Sequence, residues 1–415
     1  MSDARQELAR AAPVDEAAVS PESPQATVGD DPPPQTPLDT RPPRGRGDIV
    51  RWVAWVALAV VLLALPLYLT TPWLRVGEYV MIGAVAAIGL TLLTGQTGQL
   101  SLGTPFFMLV GGTSYVVLAG QPSEISDEEF LGFGLPPMLA LVLAVVVAAI
   151  FGLAFAPVAG RVKGIYLAIA TLSLVYLGLY LGQSLPYITG GTASGRNPED
   201  LTMFGFSFTS NDPEISLLGV PLRDTERLWW LFLVLTAIAY VLAQGAIRGR
   251  PGRSWRAVRD NEFSAAVMGV RVSWVRAGVF AISSAYAGLA GVMTVLWFGL
   301  LKADETEFAG TWSIVVAIGF LAMIIIGGLG SVPGAVVGAM LVNGLPLVIQ
   351  LLIPQSSVLR ELTGGDNGFT PIVLTAFVYG LAIIAVVLFE PGGLAALGRR
   401  FTNALNSRTK PTKGN

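Results

Sequence analysis

Apolar residues along this chain gather in long runs rather than alternating with polar ones. Ten runs fall near 52–70, 76–94, 103–119, 137–157, 164–183, 228–245, 277–298, 311–328, 334–353 and 370–389, and Glu78 is the only charged residue within them. Each is close to the roughly 20 residues that carry a helix through a hydrocarbon core. A helix satisfies its own backbone in lipid, where an open strand cannot, so each run predicts a helix. From Phe308 to Leu359 no side chain is ionisable, so that stretch must fold back within the membrane at least once. The pattern predicts an all-α membrane protein: a polytopic bundle of about ten transmembrane helices over 49–395.

Charge supplies the orientation. Lys and Arg favour cytoplasmic loops. With the N-terminus inside, 20 of the 26 Lys and Arg fall on the cytoplasmic side. Only Arg75, Arg196, Arg223, Arg227, Lys302 and Arg360 lie outside. An even number of crossings returns the basic tail at 396–415 to the same side, so both termini are expected in the cytoplasm. Residues 1–48 are rich in Pro, Ala, Asp and Glu and predict a disordered cytoplasmic tail, because so little apolar surface cannot offset the entropy of ordering. Two loops exceed turn length: 184–227, expected outside, and the basic 246–276, expected inside.

Composition narrows the chemistry. The sequence is 53% hydrophobic and 13% charged, with neither Cys nor His. Thiolate and imidazole metal sites, and nucleophile–base pairs built on those residues, are therefore excluded. The runs hold no ionisable group near their middles, which disfavours a proton-coupled carrier. A sodium-coupled carrier, which can use backbone carbonyls at broken helices, stays open as a rival. A membrane-embedded transferase is a second rival, although Asp200, Asp212 and Asp304 show no metal-binding spacing. No Gly-x-x-x-x-Gly-Lys-Ser/Thr phosphate loop occurs, so energy for uphill transport has to enter through a partner.

Three segments stand out. In the inner loop, Arg253, Arg256 and Arg259 recur at the spacing of helix neighbours, and Trp255, Val258, Ala265, Ala266 and Met268 add apolar surface. A short helix there would offer an aromatic anchor and arginines to a partner's groove, or it is merely a basic inside loop. The other two segments are glycine breaks, Gly95-Gln-Thr-Gly-Gln-Leu-Ser-Leu-Gly103 and Gly327-Gly-Leu-Gly-Ser-Val-Pro-Gly334. Either each is an unwound stretch lining a pathway, or each is a tight turn that lets helices pack closely.

These segments, with Ile188-Thr-Gly-Gly-Thr192, resemble the M-type permease subunit of ATP-driven importers for branched-chain amino acids. The likeness covers about residues 76–390. Gly95, Gly98, Gln99, Ser101 and Gly103 match the family's Gly-x-x-Gly-Gln-x-Ser-Leu-Gly segment, and Gly327, Gly328, Gly330 and Gly334 its second glycine stretch. Arg253, Trp255, Arg256, Arg259, Asp260, Glu262, Ala265, Ala266 and Gly269 match its ATPase-coupling loop. Two departures are visible. Thr104-Pro105 stands where the family often has His, and the loop lacks the Glu-Ala-Ala-x-x-x-Gly spacing of other importer permeases. The resemblance implies a non-enzymatic transport subunit without a cofactor of its own, ATP and Mg being bound by the partner. It implies a second permease subunit, two cytoplasmic ATPases, an extracytoplasmic substrate-binding protein and a small-molecule substrate, in membrane lipid and without nucleic acid. Related permeases serve urea, amides or other small acids, so these stand as the alternative substrates.

Overall fold

The computed structural model describes residues 46–352 apart from 126–127, 163, 192–194, 204, 211–214, 218–219 and 304–311, together with scattered residues between 377 and 395. The predicted tails, all but the last three residues of 1–48 and the whole of 396–415, lie outside that set, as does most of the tenth run. Contacts divide the chain after Arg51, and the helical bundle is the unit from Trp52 onward.

The helices in order are α1 (Arg46–Ala64), α2 (Thr71–Leu90), α3 (Thr104–Ala119), α4 (Pro137–Arg161), α5 (Ile165–Ser184), α6 (Pro186–Thr189), α7 (Asp224–Arg248), α8 (Arg250–Asp260), α9 (Glu262–Val267), α10 (Val272–Phe298), α11 (Ile314–Gly327), α12 (Val332–Ala339) and α13 (Leu345–Leu352). Two π turns interrupt this order: Thr91–Gly95 continues α2, and Met340–Gly344 joins α12 to α13. Three small antiparallel hairpins lie in the loops: β1 (Ser123–Ile125) with β2 (Glu128–Phe130), β3 (Thr202–Met203) with β4 (Phe206–Ser207), and β5 (Ile215–Leu217) with β6 (Val220–Leu222).

Nine of the ten apolar runs coincide with helix, since aliphatic side chains have no competing backbone partner. Among the described residues six helical stretches are long and apolar enough to cross a membrane: 71–95, 137–161, 165–184, 224–248, 272–298 and 332–352. The stretches 56–67, 104–119 and 314–327 are apolar but shorter. The shortening at 104 and 327 has a cause: each of these helices ends at a glycine break that folds back into the bundle.

At the centre, α10 packs against α3 and α4 through small residues. A Cβ on Gly291 would fall 1.9 Å from the Met108 carbonyl oxygen, and one on Gly111 2.3 Å from that of Gly288. Toward α4, Gly288 meets the Ala148 methyl and Gly152 meets Ser284. Backbones this close maximise dispersion where lipid offers no hydrophobic gain for helix association. The helices run so that Gly95, Gly160, Gly330 and α8 share one end of the bundle, the junction end. Arg75, Asp224, Trp297 and the hairpins share the other, the loop end.

The loop end holds the residues that break the expectation of an interior free of ionisable groups. Glu78 is fully buried, with Arg75 and Trp297 as its neighbours. Arg227 is fully buried, its guanidinium donating to Ser207 O (3.0 Å) and Ser210 O (2.8 Å) and stacking on Phe206. Arg196 donates to Leu131 O at 2.6 Å and lies over the Phe130 ring, and its burial pulls the guanidinium pKa below the usual arginine range. Loops fold over the helix ends here, so residues that look terminal in sequence become interior. Arg75 joins α2 to α10 by donating to Trp297 O (2.7 Å) and faces Asp224 of α7 at 4.0 Å.

The packing of α10 makes one expectation sharp. Gly291→Ala forces backbone apart and should lower stability by about 1–3 kcal/mol, whereas Gly278→Ala, with nothing within 4 Å, should be neutral or gain up to about 1 kcal/mol. Thermal unfolding of the two variants in detergent checks the difference; equal midpoints would remove the close α3–α10 contact.

Candidate functional site: a glycine junction under a short amphipathic helix pair

The first glycine break is a compact turn. After the π turn at 91–95 the chain reverses at Gly98, whose φ of 72° is a conformation that side chains disfavour. Thr94 Oγ1 donates to Gln99 O (3.0 Å), Thr97 Oγ1 to Leu93 O (2.6 Å), and Gln99 Nε2 to Thr97 Oγ1 (3.0 Å). Gln99 and Ser101 are buried. Ser101 Oγ accepts from Gly103 N, and Leu102 N donates to Thr171 Oγ1 of α5 (2.9 Å), which lies against Gly103. Short polar side chains thus satisfy the backbone that the helix leaves open.

The second break is equally tight. Gly328 and Gly330 take φ of 107° and 81°. Ser331 caps α12 by accepting from Gly334 N, and Pro333 lies in the first turn, where its missing N–H costs nothing. Gly327 and Gly334 touch backbone to backbone; a Cβ on either would fall 2.1–2.2 Å from the other's carbonyl oxygen. Both breaks are thus compact turns between helices.

What spacing could not show is that the breaks meet. A Cβ on Gly95 would lie 2.5 Å from Gly330 N, and Gln96 Nε2 donates to Gly330 O at 2.9 Å. Residues more than two hundred positions apart therefore form one junction. The guanidinium of Arg259 closes it from α8 by donating to Gly95 O, with its aliphatic stem near Gly98.

The predicted coupling loop forms two helices, α8 and α9, joined at Asn261, whose side chain accepts from Ser264 N to cap the second. α9 ends in a Schellman motif: Val270 N donates to Ala265 O and Gly269 N to Ala266 O, both at 3.0 Å, with Gly269 at φ 82°. Trp255, Val258 and Ala265 are buried against the bundle. The reading of Trp255 as an anchor offered outward is thereby corrected: at 4% exposure it fastens α8 to its own chain, because an indole gains most where the neighbouring helices already supply an apolar surface. Glu262 pairs with Arg276 of α10, which also reaches Gly160 O of α4 at 3.4 Å. Missing the Glu-Ala-Ala spacing, Glu262 acts here as a clamp.

The outward face carries different residues. Arg253, Arg256, Asp260 and Ala266 are exposed, and beside them Phe263, Val267 and Met268 are 87%, 86% and 83% exposed. Sequence reasoning named Met268 but passed over Phe263 and Val267, although their i, i+4 spacing in a polar loop was the signal. It also passed over Arg276, Gln96, Thr171 and Asn343, single polar residues whose partners are remote in sequence.

Comparison with known proteins shows the family. A family model described as the permease component of branched-chain amino acid transport systems matches residues 74–387. The high-affinity branched-chain amino acid transport system permease protein LivM of Salmonella typhimurium is 26% identical over 353 residues, 83% of this chain and 75% of its own. The Escherichia coli protein of the same name is 26% identical over 364 residues, 86% of this chain and 77% of its own. The autoinducer 2 import system permease protein LsrC of Escherichia coli is 28% identical over 351 residues, 82% of this chain and 87% of its own. No solved structure matches the chain. Both glycine breaks and both helices of the coupling segment fall inside the matched span, and the chain belongs to the family of branched-chain amino acid transport permease components, a multi-pass protein of the cell membrane that moves a solute rather than catalysing a reaction.

Proposed function

We propose that this chain is the permease subunit of an ATP-driven importer of branched-chain amino acids, with ten spans, both termini and the junction end in the cytoplasm. It provides half of the translocation pathway beside a second permease. Two cytoplasmic ATPases, which hold ATP and Mg, grip α8 and α9, and a substrate-binding protein docks on the loop end, over 184–227. The observation that carries this reading is the two-sided build of the coupling segment. One side is buried and tied by Arg259 to the glycine junction, and the other presents two arginines and three bared apolar side chains. Such an exposed apolar group rimmed by charge marks a protein contact.

The same build suggests how force passes. ATP-driven closure of the ATPases displaces α8, Arg259 carries that displacement to Gly95, and the Gly95–Gly330 contact hands it to α2, α11 and α12. A partner can shift a two-state equilibrium only by its differential affinity for the two states, so the ATPases must bind α8 and α9 differently before and after hydrolysis. The LsrC relative is named for a different imported solute, and import of another small molecule is therefore the second reading.

Removing the gene from its native host should abolish uptake of labelled leucine, isoleucine and valine, and unchanged uptake of all three overturns the substrate class. Phe263→Glu together with Met268→Glu should prevent co-purification of the ATPases while leaving membrane insertion intact; undiminished recovery would place the docking surface elsewhere. Arg259→Ala should separate the two roles. The ATPases stay bound, but stimulation of hydrolysis by the binding protein falls at least fivefold, and full stimulation would show that the Gly95 contact carries no coupling.

A further inference from the structure

Between α2, α10, α11 and the π turn at 340–344 lies a cavity of about 370 Å³. Tyr79, Ile82, Gly319, Phe320, Met323 and Asn343 shape its wall. It sits near mid-depth: Asn343 is central in the 332–352 stretch, Gly319 in α11 and Tyr79 in the first half of 71–95. Its volume lies within the range of small-molecule pockets, which are mostly apolar with few placed polar groups.

Tyr79, Tyr379 and Thr294, whose hydroxyl is bonded to Ala290 O, also line the cavity, and the polar group that stands on its π turn is the Asn343 amide. Its Nδ2 donates to Tyr79 O at 3.1 Å, an approach that only a glycine at 83 permits, since a Cβ there would fall 2.3 Å from that nitrogen. Among the described residues the amide oxygen has no hydrogen-bond donor. Asn343 stands on a π turn, a one-residue excess that weakens the regular ladder and recurs at functional sites. A second cavity of about 350 Å³, between α3, α4 and α5, is lined almost wholly by apolar side chains, and its Thr189 hydroxyl is already bonded to Gly182 O and Leu185 O.

The helices around the first cavity are the ones that converge on the glycine junction. At 1.5 Å per residue, its wall lies roughly 6–24 Å from the junction along α11, α12 and α2. A displacement of Arg259 would therefore reach the cavity through rigid helices.

We infer that this cavity holds the branched aliphatic side chain of the amino acid in transit, with the Asn343 amide oxygen accepting from its ammonium group. The inference rests on the function proposed above. Gly319 tests it, because only Val342 lies within 4 Å of an added Cβ, at 4.0 Å, so larger side chains enter the cavity rather than clash.

The experiment uses the assembled transporter, with its ATPases and binding protein, in proteoliposomes. Uptake of labelled leucine by the wild type reads the proposed function itself; if it is absent, substrate class and cavity assignment fall together. Given wild-type uptake, Gly319→Phe should reduce leucine import at least tenfold while the complex still assembles on gel filtration. Gly319→Ala should slow leucine and isoleucine more than valine. Asn343→Leu should lower the rate for all three, without that size order. Import at the wild-type rate by Gly319→Phe, or equal slowing of all three amino acids by Gly319→Ala, would overturn the assignment while leaving the importer reading in place.

Discussion

The end of a helix leaves backbone groups without intrahelical partners, so every place where a helix stops must find those partners elsewhere in the protein. The junction of the two glycine breaks is where this chain meets that demand. Thr94, Thr97, Ser101 and Ser331 turn short side chains back onto the open backbone, and Gln96 and Arg259 bring donors to Gly330 O and Gly95 O. Glycine is required here because the two backbones touch; a methyl group at Gly95 would fall 2.5 Å from Gly330 N, inside van der Waals contact. The turns are thus both the weakest points of their helices and the points where distant parts of the chain are joined.

The segment proposed to meet the ATPases is tied to that junction. A basic loop could satisfy the charge rule without any fixed structure. Here the joint between α8 and α9 is capped by Asn261, and the pair has a Schellman end, a buried Trp and an ion pair to α10. Each of these restricts the segment to one orientation, with Phe263, Val267 and Met268 outward. A segment held so firmly can pass on a push, whereas a loose one would absorb it.

The loop end solves a different problem. Arg196 and Arg227 are both buried at the loop end, with carbonyl oxygens and aromatic faces as partners. Their charges serve as internal fasteners for the 184–227 loop rather than as surface charge. A count of basic residues by side therefore overstates how many act as topological signals.

Much of this was legible in the residues alone. Long uncharged runs specify helices because lipid leaves the backbone no alternative, and the positions of nine runs follow from that. The glycine breaks and the amphipathic loop were visible because glycine spacing and arginine periodicity are local properties. Which side of α8 faces the protein was not local: Trp255 turned inward because neighbouring helices cover it, and Phe263 outward because none does. Nor could spacing reveal that Gly95 meets Gly330, that Asn343 reaches Tyr79, or that Glu78 ends up fully buried. Periodicity encodes the face of a helix but not its neighbour, and contacts between remote segments are decided only when the helices pack.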